Sequence, residues 1–134
     1  MRTSVNFSGT WNANLSKSRL LGPPLKALSV KIEHSDPELR EELLVKKIDG
    51  SEEKVVFECW TNGEQDKSLL NGTTVRGRAR WEGVELVIES WIRFGTREMY
   101  FCDCWSLSHD GQELSMEHRK DDLAGQLTVF ERVE

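Results

Sequence analysis

Between Val75 and His118 apolar side chains recur at every second position, and three turn-forming pairs, Glu82-Gly83, Gly95-Thr96 and Asp110-Gly111, punctuate the run. Successive side chains leave a strand on opposite faces, so alternation of this kind sets one face against an interior and the other in solvent. Taking Glu82-Gly83 as a two-residue turn places Trp81 opposite Val84, Ala79 opposite Leu86, Gly77 opposite Ile88 and Val75 opposite Ser90. Gly95-Thr96 places Ile92 by Met99, Ser90 by Phe101, Ile88 by Asp103 and Leu86 by Trp105. Asp110-Gly111 then sets Leu107 against Leu114, Trp105 against Met116 and Asp103 against His118. All three turns preserve one parity, and a slip of one residue at any of them would turn the apolar set outward. The other face pairs Arg76 with Glu89, Arg80 with Glu85 and Trp91 with Tyr100, as suits a wet surface of cross-strand partners.

The first half is compatible with the same pattern. Phe7, Gly9, Trp11, Ala13 and Leu15 share a face, followed by a connector from Ser16 to Pro24 with room for a short helical turn. Leu28, Val30 and Ile32 mark a second strand that ends at Ser35-Asp36-Pro37. Leu39, Leu43 and Val45 face Thr61, Phe57 and Val55 if Asp49-Gly50-Ser51 forms a three-residue hairpin with a glycine bulge. Asn62-Gly63 and Asn71-Gly72 bracket a short strand around Ser68 to Leu70, and Gly125 to Val133 supplies the last. The expectation is one all-β domain over residues 1–134, a single antiparallel up-and-down barrel of 8–10 strands with little or no helix. A sandwich would need longer crossovers.

Composition narrows the function classes. A hydrophobic fraction of 37% beside 31% charged residues describes a chain that folds. The formal charge of -5, without a basic cluster, weighs against a nucleic-acid partner. No window approaches the ~20 apolar residues of a membrane span. Met1 to Ser4 leads directly into a strand, so a cytoplasmic location is expected, although a removed export signal would leave the same sequence. Cys59, Cys102 and Cys104 are odd in number, two of them at i, i+2, which suits free thiols in a reducing compartment.

Gly9-Thr10-Trp11 near one end and Arg132 near the other resemble the two closing signatures of the calycin superfamily, the lipocalins and the fatty-acid-binding proteins, and in particular small bacterial lipocalin-like barrels. The resemblance implies that Trp11 plugs the barrel base and that Arg132 packs over it, a stacking that guanidinium and indole favour. It also implies transport of a hydrophobic ligand. The Arg-x-Tyr carboxylate clamp of the fatty-acid carriers is missing, its place taken by Thr128-Val129-Phe130, and Ser16 to Pro24 is too short for their two-helix lid.

The candidate lumen set is Trp11, Phe57, Trp81, Ile88, Ser90, Phe101, Asp103, Trp105, Met116 and His118. Gly77 and Ala79, being small and inward, argue for space among them. Asp103 and His118 are the one inward pair suited to orienting a polar ligand group, and an enzyme using them as base and orienter is a lesser alternative, since no nucleophile accompanies them. No cofactor is expected. Cys102-x-Cys104, His34, His109 and His118 lack metal-site spacing, and His118 is the sole candidate for a haem ligand. Arg76, Arg78 and Arg80 read as a solvated charge ladder. Trp60, Trp91 and Tyr100 have outward parity, so the remaining alternative is a filled barrel acting as an interaction module or homodimer through them.

Overall fold

In the computed structural model, which describes residues 5–64, 66–121 and 125–133, every regular element is a strand. They are β1 (Gly9–Ala13), β2 (Leu25–Ser35), β3 (Glu38–Lys47), β4 (Glu52–Trp60), β5 (Lys67–Leu70), β6 (Thr73–Glu82), β7 (Glu85–Phe94), β8 (Arg97–Leu107), β9 (Glu113–Lys120) and β10 (Gln126–Arg132). Each pairs antiparallel with its neighbours in sequence, and β1 closes on β10 through Trp11↔Arg132 and Ala13↔Phe130 to complete the barrel.

The closure is held by one side chain. The Arg132 guanidinium stacks 4.2 Å over the Trp11 ring and donates to the carbonyls of Ser8 (3.1 Å) and Gly111 (3.2 Å). Gly9 makes room for it: its φ is +140°, and a Cβ there would lie 2.7 Å from Arg132 Nη1. Trp11 is fully buried and its indole N–H donates to the Phe7 carbonyl.

Above that seal, Phe7, His34 and Trp81 form a trio of near-parallel rings with centroids 5.6–5.8 Å apart, and Trp105 meets Phe7 edge-on. Such contacts add about 0.5–1.5 kcal/mol each beyond area burial. His34 is the buried inner residue near the end of β2. Its Nδ1 accepts from the Phe7 N–H, so the ring proton sits on Nε2 and is donated to Asp36, which also accepts from the Thr61 hydroxyl. The polar ring is thereby satisfied inside an aromatic plug.

The β7–β8 and β8–β9 registers are those expected, with Ser90↔Phe101, Ile88↔Asp103, Trp105↔Met116 and Asp103↔His118. Two others differ by two residues. Trp81 pairs with Leu86 and Ala79 with Ile88, because Gly83 takes the first turn position at φ +64°, as Gly95 does in the next hairpin. Leu39 pairs with Cys59 and Leu43 with Val55, because Gly50 is the third residue of its loop (φ +91°) and the Lys47 N–H closes onto the Ser51 carbonyl. A shift of two preserves parity, so the inner face is unchanged. The connector after β1 contains a hydrogen-bonded turn and no helix.

Candidate functional site

Above the aromatic plug the lumen holds a cavity of about 340 Å³. Its apolar wall comes from β2, β3, β4, β5, β7, β8, β9 and β10, with Leu43, Phe57, Leu70, Ile88, Trp105 and Met116 among its residues. The polar lining is sparse: Ser90, Asp103, His118, Gln126 and Thr128 on the contiguous strands β7 to β10, and Glu41 on β3. In the ring order β3 stands opposite β8, so Glu41 faces the Asp103/His118 pair across the barrel.

Eight of the ten expected lumen residues border this cavity: Phe57, Ile88, Ser90, Phe101, Asp103, Trp105, Met116 and His118. Trp11 and Trp81 lie below it, in the seal and the aromatic plug. Gly77 and Ala79 do not provide the space. The Gly77 position is filled by the buried Ser68 Oγ, from which a Cβ would stand 2.6 Å, and Ala79 is packed in the core. The cavity comes instead from the barrel's girth above the plug.

Asp103 and His118 meet as expected, through a short hydrogen bond from Nδ1 to the carboxylate, and Phe101 stacks on the imidazole at 5.5 Å. The hydrogen bond and charge of Asp103 raise the His118 pKa above the ordinary histidine value, against the opposing pull of burial. With side chains 43% and 29% exposed, the histidine and aspartate are reached by solvent and hence by a solute. Nε2 makes no hydrogen bond among the described residues. Ser90 bonds neither member of the pair, so no nucleophile-base arrangement is present among these groups.

Glu41 is the polar cavity-lining residue that sequence reasoning passed over. Parity alone pointed to it, since Leu39, Glu41, Leu43 and Val45 share one face of β3. Its neighbours on the flanking strands are Ile32 and Phe57, and it has no hydrogen bond or ion pair among the described residues. The surface it retains borders the cavity. Burial, followed by the negative charge of Asp103, pushes its pKa up to about 8, and His118 offsets only part of this. The nearby Cys59 thiol is pushed up to about 12, chiefly by burial and then by the two carboxylates. At neutral pH the lumen therefore carries a protonated Glu41 across from the hydrogen-bonded Asp103/His118 pair.

The outer aromatic residues are less bare than their parity suggested. Arg76 lies 4.3 Å over Trp91, Lys67 lies 5.9 Å over Trp60, and the Tyr100 hydroxyl donates to Glu89. The charge ladder is correspondingly rearranged: Arg80 engages Glu89 and Glu82, while Arg76 and Arg78 approach Asp66. All three cysteines are free thiols; Cys59 is buried, and Cys102 and Cys104 are half-buried. Among the described residues no helix is long and apolar enough to cross a membrane. No protein-family model matches this sequence, and no curated protein is significantly similar to it.

Proposed function

We propose that this barrel is a non-enzymatic carrier or sensor that holds one small, mainly apolar molecule in its lumen. The observation that carries the reading is the cavity of about 340 Å³, whose apolar wall is interrupted by a few convergent polar groups. Small-molecule sites have this make-up, with volumes of about 300–1,000 Å³. A cavity at the lower end of that range suits a single ring system or a chain of medium length. The ten-strand closure and the stacking of Arg132 on Trp11 support a place among the calycins, whose members carry ligands in this part of the barrel. The filled-barrel alternative has less behind it, since the lumen is not filled and the outer tryptophans are covered by the chain's own Arg76 and Lys67.

Native mass spectrometry of freshly purified protein, with displacement of an environment-sensitive apolar fluorophore, tests the reading. A retained small molecule, or saturable one-to-one uptake of the probe that Ile88→Trp abolishes by filling the cavity, is the expected result. No retained mass and no saturable uptake would overturn it.

A further inference from the structure

The charge inventory of the lumen bears on which ligand it takes. Among the described residues bordering the cavity there are two carboxylates and one imidazole, and neither lysine nor arginine. The single potential cation, His118, is already hydrogen-bonded to Asp103. Glu41, opposite, has no hydrogen bond or ion pair among the described residues, and Phe57 and Trp105 supply aromatic walls. We propose that the cavity selects a protonated amine with an apolar body, an alkylamine or arylamine, over a carboxylate of the same size. This rests on the carrier reading above and names the ligand class for the same site.

A fatty-acid headgroup entering here would bring its negative charge toward Asp103 in a space whose one potential cation is already hydrogen-bonded, and like charges at close range disfavour one another's ionised forms. An ammonium group meets the opposite situation. Moving it out of water is unfavourable unless a counter-charge and hydrogen-bond acceptors replace its hydration. Glu41 provides the counter-charge once it gives up its proton, the remaining lone pairs of Asp103 add acceptors, and aromatic faces add a cation-π contribution. The titratable groups facing Glu41 are Cys59 from β4, Asp103 from β8 and His118 from β9, while its β2 neighbour is apolar Ile32. The Cys59 thiol stays neutral below about 12 and competes for no proton.

Below about pH 8 the Glu41 carboxyl holds its proton. When an alkylammonium binds, the O–H bond of Glu41 breaks, the carboxylate pairs with the ammonium and the proton passes to the buffer. A carboxylate or alcohol ligand triggers no such release.

Isothermal titration of the intact chain with octylamine, octan-1-ol and octanoate, in two buffers of different ionisation enthalpy near neutral pH, tests this. Octylamine is expected to bind at least about tenfold more tightly than octanoate, the equivalent of one pKa unit of differential interaction. Its apparent enthalpy should vary with the buffer in the sense of proton release. Glu41→Gln is expected to remove that variation and to reduce the preference for octylamine over octan-1-ol by about tenfold. Octanoate binding as tightly as octylamine, or octylamine binding without proton release from the unmutated protein, would overturn the amine assignment and leave the carrier reading standing. Failure of all three compounds and of the apolar fluorophore to bind would remove the carrier reading itself.

Discussion

At the scale of single residues, Arg132 does work that neither charge nor length alone can supply. Its planar guanidinium covers the Trp11 indole while two N–H groups reach carbonyls on either side of the seam, Ser8 and Gly111. Arg132→Lys keeps the charge and loses the plane and the second donor direction, so it is expected to destabilise the fold by about 1–3 kcal/mol. Arg132→Ala should be at least as damaging, and chemical denaturation of the two variants measures both. Gly9→Ala is expected to lower stability by about 1–3 kcal/mol, because φ of +140° is strained for any residue with a Cβ. A melting temperature equal to that of the unmutated protein would refute the seal as described. The pair Trp11 and Arg132 was legible in sequence as a resemblance, and Asp103 with His118 as a register. Glu41 was not read, although alternation placed it inward, because a carboxylate in an apolar row looks like an interruption until the space opposite it is known.

At the scale of elements, the hairpins from β6 to β9 form a continuous ladder, whereas β5 is four residues long and its register with β4 runs over just two pairs, Phe57↔Leu70 and Glu58↔Leu69. Both Phe57 and Leu70 border the cavity, so the weakest seam of the wall lies beside the proposed ligand. Local opening follows the fewest paired backbone groups. Hydrogen exchange is therefore expected to be fastest in peptides covering β5 and the facing end of β4, slow in β7 and β8, and to slow further at the seam when the lumen is occupied. Uniform exchange around the barrel would contradict this. Which face of each strand turns inward was readable from alternation alone. The pairing of β3 with β4 and of β6 with β7 was off by two, because loop residues were assigned by type. A glycine offers positive φ at more than one turn position, and only packing chooses among them.

At the scale of the whole molecule, the lumen makes stability depend on pH. Glu41 keeps its proton in the folded chain up to about pH 8, whereas its ordinary value is 4.5. Between those values the folded state binds a proton that the unfolded state has released, so stability falls as pH rises through the window. His118 acts in the same direction. Its folded value is raised by Asp103, so its contribution is present below the ordinary histidine value and is lost as pH climbs through the raised one. The melting temperature of the ligand-free protein is expected to decline from about pH 5 to about pH 9, and Glu41→Gln to remove most of that slope. A melting temperature that rises across this range would show that Glu41 ionises freely. By itself the sequence determined the strands and the inward face of each, since these follow from side-chain alternation and turn chemistry, while the two residues that close the ring were indicated by a resemblance. Only the tertiary structure decided that the lower lumen is plugged by Phe7, His34 and Trp81 while the upper lumen stays hollow, and that Glu41 faces Asp103 across it. Volume and cross-barrel distance depend on how all the strands curve together, and no local pattern of residues encodes them.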